Sequence, residues 1–449
     1  MDPKKALLQI VMVLIAILVG IGFLFLRQRV PPVTARFDPL PVALGNSQEL
    51  TLQLDAARGG VRSVRVELVQ ADRSLPLYAA SFDSSGIDQR RLTFKVQPGL
   101  QNAREGDSRL EVYASDGFWR LKPVDKKPVL SVPVMVDLTP PKLEIISYTR
   151  YVSQGGAAVA VLGSSDAQKV GVEIKGHFYP ASPAGDPAKG LHVCFFAIPY
   201  DQPTDENPLA VSVDAAGNRT TRIISTVIAT HDFKHGSVTL KREFLASKLP
   251  ELLPQRGEIA PEDYGEAFKY VSTVLRAKAE NEMHQLAGQT AQHALWKGAF
   301  LQPPNTRVFS NFDETRDYSY EGVALDTKVH AGFDLASVKR APVPAAAAGH
   351  VLFAADLGIY GNTILIDHGL GLQTAYSHLS EMSVSVGQNV KRGETIGRTG
   401  TTGLAVGDHL HYEVLVGGTP VNPLQWWDAK WIDAKVRKVL SEGGLDLGI

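Results

Sequence analysis

Between Ala6 and Leu26 the chain is apolar at every position except Gln9. At 1.5 Å per residue such a run is long enough, as a helix, to cross a hydrocarbon layer about 30 Å thick. The pattern predicts a transmembrane anchor within residues 1–30. A cleaved leader is the rival reading, but the apolar run ends in Phe25-Leu26-Arg27-Gln28-Arg29 with no Ala-x-Ala site after it. Lys4 and Lys5 on one side and Arg27 and Arg29 on the other leave orientation open. Beyond Pro31-Pro32 the period changes to two, as in Glu49-Leu50-Thr51-Leu52-Gln53-Leu54, Val61 to Val69 and Leu92 to Val96. Alternation broken by turn residues predicts antiparallel strands. Asp137-Leu138-Thr139-Pro140-Pro141 punctuates the chain, and a second strand-rich region follows with Val159 to Leu162 and Val170 to Ile174. Two β-sandwiches are expected, at 31–137 and 138–240. From Pro261 the period becomes helical, with Phe268, Val271 and Leu275 on one face, giving a helical segment within 241–300 that is broken near Gly288 and runs to about Trp296. Short runs between glycines then predict a compact β domain over 301–433, followed by a tail at 434–449. The expected fold class is multidomain and mostly β.

Charge and cysteine narrow the function classes. Across 449 residues, 46 Lys and Arg balance 47 Asp and Glu, so no strong field points to nucleic acid. Cys194, the single cysteine, excludes an intrachain disulfide framework and reads as a buried small hydrophobe. The Asp137-x-Thr139-Pro140-Pro141 junction and the Asp214-x-x-Gly217-Asn218 turn resemble those of bacterial immunoglobulin-like domains. That resemblance implies spacers that set reach, with possible cell-wall protein partners on their surfaces.

The candidate chemistry is concentrated late in the chain. Half of the twelve histidines lie between His330 and His411, four of them in the clusters His330-Ala-Gly-Phe-Asp334, Tyr376-Ser-His378 and His409-Leu-His411. Positions two apart on a strand share a face, so His409 and His411 project together, as do Tyr376 and His378. A catalytic zinc needs three nitrogen or oxygen ligands and an open position, and two histidines with one carboxylate satisfy that. The remaining histidines would then serve proton transfer or oxyanion stabilisation. Spacing alone leaves open which histidine takes which role. No H-E-x-x-H is present. His284 and His293 on the helical segment read as surface or packing histidines, and His350 and His368 fall outside the clusters, His368 in a structural turn position.

These clusters are similar in order and wording to the M23 (lysostaphin or LytM) family of peptidoglycan metalloendopeptidases. The resemblance runs from about Arg307 to Ile432 and includes Ala341-Pro-Val-Pro-Ala, Gly361-Asn-x-Ile-x-Ile-Asp-His368-Gly, Val386-Gly-x-x-Val-x-x-Gly393, Gly397-x-Thr-Gly-x-Thr-Gly403 and Val421-Asn-Pro423. It implies His330, Asp334 and His411 as ligands of one zinc ion, and His378 and His409 as the non-ligating catalytic pair. It also implies hydrolysis of peptidoglycan cross-links, a D-alanyl bond to diaminopimelate ahead of a glycyl bridge. The bulk of the chain would then lie in the periplasm or extracytoplasmic space, with the N-terminus inside the cytoplasmic membrane. Ser310-Asn-Phe-Asp-Glu-Thr-Arg316 and Leu404-Ala-Val-Gly-Asp408 depart from the family's wording and bear on substrate preference. Three rivals stand beside this reading: a catalytically silent regulator of cell-wall amidases, a biotinyl or lipoyl carrier, and a surface tether. The silent regulators lack zinc ligands, and a carrier needs a hairpin lysine that the positions around His378 do not supply. Activity is expected to fall in mild acid, where histidines charge, and the helical segment is expected to restrain the enzyme by covering its groove.

Overall fold

The computed structural model describes residues 3–28, 30–71, 73–83, 87–118 and 127–449, the side chains at 3–7 and 24–28 excepted. It divides into two compact units, residues 1–141 with 213–219, and residues 142–212 with 220–449. The first begins with a helix, Pro3–Gln28. Among the described residues no helix is long and apolar enough to cross a membrane, which overturns the expected anchor and with it the fold class built on it. The architecture is mostly β and multi-sheet, with the helices subordinate.

In the first unit, strands Thr34–Phe37, Gln48–Asp55 and Gln89–Val96 form one sheet. Ala43–Leu44, Leu130–Val136, Gly106–Asp116, Val61–Gln70 and Arg73–Ser81 form another. The period-two pattern explains the layering. Leu50, Leu52 and Leu54 face inward from one sheet to share a core with Val64, Val66, Leu110 and Val112 of the other. The 214–218 turn belongs to this unit. Asp214 Oδ1 accepts the Ala216 and Asn218 N–H groups at 2.9 Å each, and Asn218 Oδ1 accepts from Asn46 N–H at 2.7 Å, an Asx turn stapled to a neighbouring loop.

The second unit opens with a four-stranded sheet, ordered Ser182–Pro183, Leu191–Ala197, Ala157–Ser165, Lys142–Tyr148. Cys194 lies inside it, fully buried, its thiol pushed up by burial. Residues 433–442 are helical, and Val439 accepts a hydrogen bond from Ser147 Oγ at 2.7 Å. Strand His235–Thr239 pairs in parallel with Thr315–Tyr320, so the chain has entered the C-terminal domain's neighbourhood before its helices begin. Those helices are Arg242–Leu252, Tyr264–Tyr270 and Arg276–Ala287, the last two joined by a π-turn at Val271–Leu275. The final helix stops at Ala287 instead of reaching Trp296. Gly288 caps it, and Trp296 is drawn into an aromatic cluster with Phe300 and Trp426, ring centroids 5.6 Å away from each.

The sheet that carries the late histidines is ordered Arg307–Ser310, Phe333–Ala336, Leu410–Val416, Leu372–Ser377, Asn362–Asp367, Gly349–Asp356, Asn389–Val390, with Thr419–Val421 paired to Leu410–Val416. Alternation splits its side chains between two cores. Ile364, Ile366, Tyr376, Tyr412, Val414 and Trp426 fill one. On the opposite face Leu365, Ala375 and Leu415 meet Leu245, Leu249, Phe268, Val271 and Met283 from the helices. His411 and Glu413 are in register with Leu415, on the helix-covered face.

Candidate active site

The central strand Leu410–Val416 is buried at every position, and its two neighbours set the site by register. Asp334 stands directly opposite His411 on one side and Ser377 opposite it on the other. Directly opposed residues on one face bring their side chains together, so a carboxylate and an imidazole meet, and His378 follows one residue beyond Ser377. Gly332 permits the crossing: a Cβ there would run into the carbonyl of Tyr412 and the side chain of Glu413. The loop can therefore pass close over the strand and deliver His330.

Three atoms converge. His330 Nε2 lies 3.0 Å from Asp334 Oδ1 and 3.1 Å from His411 Nδ1, and His411 Nδ1 lies 3.0 Å from Asp334 Oδ1. All three side chains are buried, and together they could hold a metal ion. His378 and His409 stand alongside, their rings 4.9 Å apart, with His378 5.7 Å from the His411 ring and His409 Nε2 3.4 Å from Asp334 Oδ1. All five sequence candidates are thus gathered at one place. His284 packs edge-on to His177 instead. His350 bonds Asn389 at 3.0 Å. His368 is buried between the Ala348 carbonyl and Thr374 Oγ1, at 2.8 Å from each, and burial lowers its pKa to about 4, a structural imidazole.

Each of the four site histidines donates its outer N–H to an acceptor that has no proton to give. His330 Nδ1 donates to the Asn311 carbonyl at 2.8 Å. His411 Nε2 donates to Glu413 Oε1 at 2.7 Å. His378 Nδ1 donates to the Thr402 carbonyl at 2.9 Å, and His409 Nδ1 to the Gly407 carbonyl at 2.7 Å. These partners direct the other ring nitrogen of each towards the shared centre, the second-layer arrangement that metal-binding imidazoles require. Asp334 is pinned likewise, with Oδ2 accepting from Arg316 Nη2 at 3.1 Å while Oδ1 faces the histidines. Sequence reasoning missed Glu413 and Arg316. Glu413 had a signal, since it lies two residues beyond His411 on the same strand; the carbonyl partners had none.

The electrostatics suit cation binding. Burial alone would raise the Asp334 carboxyl, but the charge of His330 and hydrogen bonds from His330, His409 and His411 hold it well below the usual carboxylate range. Burial pushes His330 down, with Asp334 opposing it. Burial also works to lower His411, but its bonds to Asp334 and Glu413 outweigh that and raise it to about 9. His378 is pushed well below the ordinary histidine value by burial and by His409 and His411, which keeps it neutral. His378 also sits at φ 62, a left-handed conformation uncommon outside glycine and favoured at functional sites.

A buried His-Asp-His triangle on a β-sheet, with two further histidines beside it, is a donor set that could hold a metal ion. Residues 328–423 match peptidase family M23. The chain is similar to DD-carboxypeptidase/endopeptidase Mpg of Neisseria meningitidis serogroup B, 41% identical over 130 residues, 28% of this chain and 29% of that protein. It is also similar to peptidoglycan DD-endopeptidase ShyA of Vibrio cholerae serotype O1, 40% identical over 119 residues, 26% of this chain and 27% of the other. The chain thus spans less than a third of the length of these curated relatives. Among solved structures, the catalytic domain of the antimicrobial peptidase lysostaphin from Staphylococcus simulans aligns at 27% identity and a TM-score of 0.24, covering 27% of this chain and 92% of that one.

Proposed function

We propose that this protein is a zinc metalloendopeptidase that hydrolyses peptide cross-links of bacterial peptidoglycan. The carrying observation is the triangle of His330 Nε2, Asp334 Oδ1 and His411 Nδ1, with sides of 3.0–3.1 Å. Tetrahedral zinc with bonds of about 2.0–2.2 Å sets its ligand atoms about 3.3–3.5 Å apart, so the triangle needs only a slight opening to fit. The donor set, two imidazoles and one carboxylate, leaves the fourth position for water or substrate, as catalytic zinc sites require.

Bound zinc supplies Lewis acidity there, polarising a scissile carbonyl and acidifying water. The chain's own residues do the rest. His378, neutral and with its Nδ1–H committed to Thr402, offers Nε2 to take a proton from the attacking water. His409, held through its Nδ1–H on Gly407, aims Nε2 at the rim of the triangle, where charge develops on the carbonyl oxygen. Arg316 pairs with Asp334 Oδ2 and leaves Oδ1 turned towards the metal position. The two curated relatives are a DD-carboxypeptidase/endopeptidase and a peptidoglycan DD-endopeptidase, which supports the D-alanyl cross-link to diaminopimelate as the bond cut and a working place outside the cytoplasmic membrane, where the wall lies.

The test is digestion of purified sacculi of two chemistries. Wild-type protein loaded with zinc is expected to release uncross-linked muropeptides, identified by mass spectrometry, from D-alanyl-diaminopimelate walls and not from glycyl-bridged walls. The reverse preference would contradict the assignment of the bond, and no release from either would contradict the assignment of the substrate.

A further inference from the structure

His378 owes its orientation to the carbonyl of Thr402, and the loop around Thr402 is held from outside the family-matched segment. Helix Arg242–Leu252 lies well before residue 328, where that segment begins. Its Leu245 and Leu249 are fully buried in the same core as Leu357, Ile359 and Leu365, which docks the helix against the sheet. From that helix the ammonium of Lys248 donates to the carbonyl of Thr401 and to Glu251 Oε2, the latter at 3.0 Å. Glu251 Oε1 in turn accepts the backbone N–H of Gly403 at 3.2 Å. The residues on either side of Thr402 are therefore gripped by a lysine and a glutamate one helical turn apart.

Lys248 is only 8% exposed. A buried ammonium is costly unless every donor finds a partner, so a lysine drawn this far in and spent on a loop carbonyl is poorly explained as a solvated surface charge. The rest of the loop is equally constrained. Thr402 Oγ1 accepts from Asn362 N–H at 3.0 Å and donates to the Leu379 carbonyl at 2.9 Å. Gly403 has φ +66, and a Cβ on it would strike Gly361 and the Ile359 carbonyl. The Thr402 carbonyl thus has one direction available, and the His378 N–H lies along it.

We propose that Lys248 and Glu251 are positioning residues for His378, acting through the 401–403 loop, so that a helix outside the matched peptidase segment sets the geometry of the proton-handling imidazole. This rests on the role given to His378 above. A small misplacement of such a group costs far more rate than binding.

The full chain is used for the test, as Lys248→Met, Glu251→Gln and Lys248→Arg, with zinc content, steady-state hydrolysis of sacculi and the NMR signal of the His378 Nδ1–H, assigned by its loss in His378→Gln. Lys248→Met and Glu251→Gln are expected to keep zinc and a KM within about twofold while kcat falls about tenfold or more, with the Nδ1–H signal shifted or lost. Lys248→Arg, which keeps the charge and donors, is expected to recover most of the rate. Wild-type kcat and an unshifted signal in the first two variants would overturn the proposal. If Lys248→Met fails to fold, Glu251→Gln decides alone, since it keeps the side-chain volume and removes the charge. If wild-type protein does not hydrolyse sacculi, the functional reading fails, and an unmoved Nδ1–H signal would still overturn the positioning claim separately.

Discussion

At the scale of single residues, the site depends as much on what the imidazoles donate as on what they offer to a cation. Glu413 fixes the His411 tautomer through a 2.7 Å bond from Nε2, so Glu413→Gln, with a weaker neutral acceptor, is expected to lower zinc affinity about tenfold or more while the fold persists. Competition with a chelator measures it, and unchanged affinity would remove Glu413 from the account. The raised His411 pKa carries a sign that can be checked. Without metal, His411 stays protonated up to about pH 9, between Asp334 and Glu413. Zinc must displace that proton, so binding at pH 7.5 is expected to release about one proton and to tighten as pH rises towards 9. Calorimetry in buffers of different ionisation enthalpy counts it. The five candidate positions were legible because three histidine clusters, each weak alone, stand together in one family's order. The carbonyls of Asn311, Thr402 and Gly407 were not, because any residue type supplies a carbonyl and only the folded path aims it.

At the scale of elements, period-two runs were legible wherever one face is buried and the other is not, as in Gln48–Asp55, whose Leu50, Leu52 and Leu54 are buried between more exposed polar positions. Central strands carry no such alternation. Leu410–Val416 and Leu372–Ser377 are buried on both faces, and the polar residues in them mark the site instead of the solvent. The N-terminal apolar run suggested a membrane crossing because hydropathy and length were its only measures; no described helix meets the requirement. The helical segment was visible as a 3.6-residue period, but its contribution was not. It was expected to restrain the enzyme by covering the groove. Its Arg276, Glu280 and His284 do line a cavity of about 500 Å³ with Ala331, Tyr360 and Glu413, while Lys248 and Glu251 grip the loop that orients His378. The second set of contacts joins residues some 150 positions apart, beyond the reach of any local pattern.

At the scale of the whole molecule, one buried carboxyl links the segment that carries the Asn311 carbonyl, the acceptor for His330, to stability. Asp313 is 3% exposed, and burial with the nearby Asp201 raises its pKa to about 8. A carboxyl raised on folding favours the folded state while it is protonated; that contribution is complete below the unfolded value near 4 and is lost as pH rises through 8. Asp313→Asn is therefore expected to melt above wild type at pH 8 and to converge with it near pH 4. Equal melting curves at pH 8 would mean that the carboxyl is not held in that way. The central claim is that His330, Asp334 and His411 hold the zinc with which this chain cuts the wall. Its most direct test is metal content together with sacculus hydrolysis for wild type and His411→Ala. One zinc per chain and released muropeptides in wild type, both lost in the variant that remains folded, is the predicted result; a variant that keeps either its zinc or its activity would contradict it.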